Sequence, residues 1–344
     1  MARSLRSRGY ITAVYSPFRS RFENDEVMFQ MLGFEKQSYP NRLAMDPSRW
    51  LRFVAAHDSA TLILLKRDLG GWLEENRRFA VVYLPQVGHG PWPDLDGTTV
   101  DLASRCRKLI AIQDRSLGEL LDILAHHNRL ERTIIVVTAD HGVRTRQEDP
   151  AFEGGKIDDY SFRVPFLVYA PGIVQSPTTV SNLTSHIDVV PTVLDLFGVD
   201  GGREFEQGNP IWDPHLSGRT TFFFANGYLG ADGFYAHGGA FSWNHLTNTV
   251  YAATGGLHFD ENAIVPASAP VHVQVTTLIT RMRALQQAWI RAMRAGNADG
   301  PVTGWLCRPG AGSLRDVRCC ARATTLGAAN VTSGPGQAEV TPCE

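Results

Sequence analysis

An aspartate and a histidine stand side by side at Asp140-His141, directly after Thr133-Ile-Ile-Val-Val-Thr138, the strongest strand pattern in the chain. In open α/β sheets, sites form at the carboxyl ends of strands. Gly142 follows at once and permits the sharp backbone turn that lets both side chains aim at one point. A carboxylate oxygen beside an imidazole nitrogen suits Zn²⁺ or Mn²⁺, whereas a Ca²⁺ site prefers oxygen alone. The competing reading is a strand-ending aspartate that caps the next helix beside an unrelated histidine. The dipeptide alone does not choose between the two.

Such a pair needs a sheet to carry it. Gly9-Tyr-Ile-Thr-Ala-Val-Tyr15 reads as a strand, and Ser4-Leu-Arg-Ser-Arg8 as the last turn of a helix before it. Residues 23–34 and 46–75 read as mostly helical; in the second, Trp50, Phe53 and Val54, then Leu62, Leu64 and Leu65, show amphipathic spacing. Phe79-Ala-Val-Val-Tyr-Leu84 is a continuous apolar run of the kind a buried parallel strand shows, and it ends in Pro85 and the loop Gly88-His-Gly-Pro-Trp92. Residues 102–130 read as one long helix with Leu109, Ile112, Leu117, Leu120, Leu121 and Leu124 on one face. Val164-Pro-Phe-Leu-Val-Tyr169 reads as a further buried strand, and residues 186–197 as a helix with Pro191 near its start and Gly198 at its end. This alternation predicts an α/β fold with a mostly parallel sheet covered by helices on both faces.

From Arg219 the texture changes. Short apolar stretches at 220–224, 233–236, 239–243 and 249–252, separated by Gly and Asn, predict an antiparallel subdomain closed by a helix over 275–293. The expected organisation is a partial catalytic domain over 1–200, the antiparallel subdomain and its helix over 201–295, and over 296–344 a disordered tail or an out-of-frame extension.

Lys and Arg number 33 against 35 Asp and Glu, so no basic field exists to hold a nucleic-acid backbone. No apolar run approaches the roughly eighteen residues that mark a membrane span. Four of the cysteines, Cys307, Cys319, Cys320 and Cys343, lie in the tail, which is no disulfide framework for the main domain. They leave the compartment open.

Three further segments, in order along the chain, resemble the sulfatase family of the alkaline phosphatase superfamily, which includes lipoteichoic-acid-synthase-like transferases. They are Val81-Val-Tyr-Leu-Pro-Gln-Val-Gly-His-Gly-Pro-Trp92, Arg163-Val-Pro-Phe-Leu-Val-Tyr-Ala-Pro-Gly172 and Ser185-His-Ile-Asp-Val-Val-Pro-Thr-Val-Leu-Asp-Leu-Phe-Gly198, the first before the Asp-His pair and the others after it. The resemblance covers residues 5–200, with weaker agreement to 295, and implies the alkaline-phosphatase-like fold. It makes Asp140 and His141 ligands of one divalent metal, with Mn²⁺ or Zn²⁺ preferred over Ca²⁺. His89 matches the histidine that contacts the transferred sulfuryl or phosphoryl group or its leaving oxygen, where an imidazole titrating near neutral pH could act as general acid; a loop histidine capping a helix is the alternative. His186, at a helix start where backbone N–H groups favour an anion, is a second oxyanion contact or else structural. Lys156 falls where sulfatases place a sulfate-binding lysine, and a solvated loop lysine competes with that role. Arg163 and Asp188 are assigned structural contacts, and Asp158 and Asp159 a solvated loop.

The chain also departs from that family. Its front supplies acidic metal ligands and a Ser, Thr or modifiable Cys nucleophile at a helix start, and this sequence is expected to begin just past that point. Cys307-Arg-Pro-Gly-Ala311 is no substitute, because its last position is Ala and it lies at the wrong end. A catalytic metal normally has at least three protein ligands, so two are expected to bind it weakly and to leave the chain inactive by itself. The expected function is a sulfatase-like, metal-dependent hydrolase or transferase acting on sulfate or phosphate esters of a small molecule, glycan or lipid. The rivals are a non-catalytic fragment or pseudoenzyme, and a two-metal phosphodiesterase or phosphomutase of the same superfamily. Relatives mostly work outside the cytoplasm or from a membrane anchor, and neither a signal nor an anchor is visible in this sequence.

Overall fold

The computed structural model describes residues 1–17, 25–40, 50–88, 92, 94, 97–98, 101–142, 162–199, 208–224, 231–236, 239–253, 262–294, 306–309 and 317–320. His89 and Lys156, and with them Asp158 and Asp159, lie outside these residues. The chain divides into two compact units, one of residues 1–151 and 164–177, the other of residues 152–163 and 178–344.

The first unit is built on helix α1 (Ala2–Arg6), strand β1 (Tyr10–Tyr15), α2 (Asp25–Leu32), β2 (Lys36–Ser38), α3 (Trp50–Glu74), β3 (Arg78–Tyr83), α4 (Leu102–His126), β4 (Ile135–Thr138) and β5 (Phe166–Tyr169). Strand β1 lies between β2 and β3 and runs parallel to both. Its side chains alternate between two cores, as a strand covered on both faces requires. Ala13 and Tyr15 face Leu65, Leu69 and Leu73 of α3 and Leu124 of α4, while Val14 faces Ala2, Phe29 and Phe34. Leu65, Leu69 and Leu73 recur at helical spacing and are buried. Each contributes roughly 1.5–3 kcal/mol of burial. Asp101 caps α4 by accepting the Ser104 N–H at 2.8 Å.

Strands β4 and β5 depart from the expected arrangement. They pair antiparallel with each other in a two-stranded ladder, with Ile135 opposite Tyr169 and Thr138 opposite Phe166, rather than joining the parallel strands. On β5, Leu167 and Tyr169 are exposed while Phe166 and Val168 are half-buried. An apolar run predicts that a strand forms, but not which neighbour it takes or how many of its faces find cover.

In the second unit, a 3₁₀ turn (His186–Asp188) leads into α5 (Val189–Leu196). The helix ends on a Schellman motif: Gly198, at φ +62°, donates to the Asp195 carbonyl, and Val199 donates to Leu194. Strands β6 (Thr221–Phe224), β7 (Ala231–Ala236), β8 (Gly239–Asn244), β9 (Thr249–Ala253) and β10 (Asn262–Val265) form one antiparallel sheet in the order β10-β9-β8-β7-β6. Helix α6 (Pro270–Arg294) buries Val275 and Ile279 against Phe234, Val250 and Val265 of this sheet. Farther along, β11 (Leu306–Pro309) and β12 (Val317–Cys320) pair as an antiparallel ladder. The architecture is thus α/β, with parallel strands between helices and a separate antiparallel sheet.

Candidate functional site

Strand β4 delivers Asp140 and His141 together at its carboxyl end. Both side chains are exposed, Asp140 by 85% and His141 by 54%, so both reach an incoming ligand. Asp140 Oδ1 accepts the backbone N–H of His141 at 2.8 Å, which orients the carboxylate and leaves Oδ2 available. Nδ1 of His141 lies 2.9 Å from the Gly142 carbonyl. A carbonyl only accepts, so Nδ1 carries the proton and the lone pair is left on Nε2, the tautomer a metal ligand needs.

The remaining donors, Nε2 of His141 and Oδ2 of Asp140, are 3.7 Å apart. An ion about 2.1 Å from each donor at a tetrahedral angle would hold them roughly 3.4 Å apart. Donor type and spacing therefore both fit one divalent ion. Among the described residues no group of three or more His, Cys, Asp or Glu forms a fuller cluster.

The loop that leaves β3 toward His89 is held by a residue that the sequence reading passed over. Asp58, on α3 and only 5% exposed, accepts the Gln86 N–H at 3.0 and 2.9 Å and the Val87 N–H at 2.5 Å. Burial pushes its carboxyl up to about 6, against the lowering by the two backbone donors. Beyond His89, the Trp92 indole donates to the Gly88 carbonyl at 2.9 Å, and its ring packs with Val87 against Leu109. The signal for Asp58 was present: it stands one helical turn before Leu62, on the stripe continued by Leu65, Leu69 and Leu73. An acid on a buried stripe requires a partner.

His186 sits in the second unit, exposed, at the first position of the 3₁₀ turn. Its neighbour Asp188 is wholly buried and holds the turn in place. Asp188 accepts the N–H groups of Ser185 at 2.8 Å and Asn209 at 3.0 Å, and a two-pronged contact from Arg219 at 2.8 and 2.6 Å. Asp188 therefore has the structural role expected of it; Arg219, its partner, was not foreseen. Arg163 stacks its guanidinium over the Tyr235 ring at 5.7 Å, also a structural contact. Of the predicted residues, the structure brings Asp140 and His141 to one point.

Residues 1–199 match the family model described as Sulfatase. The chain is 24% identical over 292 residues to the lipoteichoic acid synthase-like protein YvgJ of Bacillus subtilis (strain 168), covering 77% of this chain and 44% of that protein. It is 35% identical over 91 residues to arylsulfatase K of Bos taurus, covering 26% of this chain and 16% of that one. Among solved structures, the lipoteichoic acid synthase LtaP from Listeria monocytogenes aligns with a TM-score of 0.59 at 18% identity, covering 83% of this chain and 72% of that chain. At that identity the likeness shows a shared fold. The chain spans less than half the length of both curated relatives.

Proposed function

Because this chain belongs to the Sulfatase family, within the alkaline phosphatase superfamily, we propose that it supplies part of the metal and ester-binding machinery of a hydrolase or transferase acting on sulfate or phosphate esters. The observation that carries this reading is the Asp140-His141 pair, exposed at the end of β4 with its free donors 3.7 Å apart. A divalent ion held there supplies positive charge to the oxygens of a sulfate or phosphate ester. Asp140 offers an oriented carboxylate oxygen. His141 offers Nε2, because the Gly142 carbonyl holds the proton on Nδ1. The mixed oxygen and nitrogen donors favour Mn²⁺ or Zn²⁺ over Ca²⁺.

His89, which follows β3 in the sequence, takes the part of proton donor to the leaving oxygen in this proposal. His186, at a turn whose start is fixed by Asp188, is proposed as a further contact for the ester oxygens. Lys156 is proposed as a cation for the same anionic group. The ester belongs to a glycan, a lipid or a small molecule. The alignment with the lipoteichoic acid synthase-like protein extends over far more of this chain than the one with arylsulfatase K, which favours phosphate over sulfate. Two ligands hold an ion weakly, so turnover by these residues alone is not expected.

Paramagnetic Mn²⁺ tests the proposal directly. Titrated into the protein, it should broaden the ring proton signals of His141 before those of His126, His127 and His215, and Asp140→Ala should abolish that preference. Uniform broadening of all these histidines would remove the metal centre from β4.

A further inference from the structure

Asp58 is a carboxylate placed where a leucine would serve the core. It sits on the buried stripe of α3, and among the described residues it has no cationic partner; its oxygens meet two backbone N–H groups, those of Gln86 and Val87. Burying an anion is costly, and backbone donors of a loop are usually satisfied by water or by nearby side chains. A carboxylate differs from those partners in one respect. It accepts two neighbouring N–H groups at once, through charge-assisted bonds of fixed direction.

The same loop is anchored again a few residues on. Trp92, 9% exposed, donates to the Gly88 carbonyl, and Val87, 3% exposed, packs beside it on Leu109. Gly88 itself approaches α4 so closely that an added Cβ would meet Gln113 Nε2 at 2.8 Å. Residues 86, 87, 88 and 92 are thus tied to α3 and α4, and His89 lies between the ties in sequence.

We infer that Asp58 is a positioning residue: by gripping the Gln86 and Val87 N–H groups it sets the path on which the chain leaves β3, two residues ahead of His89 in the sequence, and so supports the part proposed for His89. The anchoring stands on the contacts of Asp58; the purpose assigned to it rests on the proposed function. Asp58 touches no substrate in this scheme and acts through the loop.

Two readouts on the full chain separate these parts. The first is amide hydrogen exchange at Gln86 and Val87. In Asp58→Ala these amides should exchange on the order of ten- to a hundredfold faster, while those of β3 and the middle of α3 keep their protection. The second is the ring signal of His89 followed by NMR as inorganic phosphate is added. It should move in the wild type and move with weaker affinity in Asp58→Ala. Asp58→Asn keeps the shape and one accepting oxygen, so it folds where the alanine variant does not, and it should give intermediate values in both readouts. Unchanged exchange at Gln86 and Val87 would overturn the anchoring. Faster exchange with an unaltered response of His89 to phosphate would overturn the positioning. A wild-type His89 signal indifferent to phosphate counts against the proposed function, and amide exchange then still decides whether Asp58 holds the loop.

Discussion

The Arg219 guanidinium meets the Asp188 carboxylate with both prongs, at 2.8 and 2.6 Å, and Asp188 is shut off from solvent. The pair joins the turn that bears His186 to the segment just before β6. Removing the arginine would strand a buried anion. Arg219→Ala should therefore cost about 3–5 kcal/mol, read by denaturant unfolding, whereas the double variant with Asp188→Asn should cost less than the sum of the two single changes. Additive losses would show that the two side chains do not act as a pair.

Asp58 gives the fold a pH dependence of defined sign. Its folded value of about 6 lies above its unfolded value, so the folded state holds the proton more tightly. Its contribution is fully present below pH of about 4 and is lost as pH rises through about 6, worth on the order of 3 kcal/mol. Asp58→Asn cannot titrate. Unfolding free energies measured between pH 4 and 7 should fall more steeply for the wild type than for this variant.

Asp140 is the opposite case, an exposed carboxylate whose hydrogen bond is to its own neighbour. Asp140→Ala should leave unfolding free energy within about 0.5 kcal/mol of wild type. The same variant should lose the preferential Mn²⁺ effect at His141. A large drop in melting temperature would mean that the residue serves the fold.

Asp232 anchors the second unit. Fully buried on β7, it accepts from Arg283 of α6 at 2.5 and 3.0 Å and lies 2.9 Å from His245 Nε2. Asp232→Ala removes the buried carboxylate that Arg283 meets with two hydrogen bonds where helix and sheet meet, and should destabilise by about 3–5 kcal/mol. Loss of near-ultraviolet signal from the surrounding aromatic residues at a lower denaturant concentration would report it.

How far these features could be read in advance depends on how local they are. Asp140 and His141 are adjacent in the chain and follow a strong strand pattern, so a strand end alone brings them together. Asp188 lies within a Ser-x-x-Asp helix start, which marks it as a cap before any partner is known. Arg219 is distant along the chain, and nothing near it announces the pairing. Asp58 is intermediate: the stripe of leucines marks an acid out of place, a sign the sequence reading passed over, and the Gln86 and Val87 amides that satisfy it lie beyond the rest of α3 and all of β3.

Periodicity, breakers and adjacent side chains thus determined the succession of helices and strands, the change to an antiparallel texture after Arg219, and the Asp140-His141 pair. These are properties of short stretches, set by 3.6- and 2-residue repeats and by neighbours in the chain. Tertiary structure decided that β4 pairs with β5 antiparallel, that Arg219 answers Asp188, and that Asp58 grips the loop after β3. Each of these joins residues far apart in sequence, where an apolar run or a buried charge declares the need for a partner without naming it.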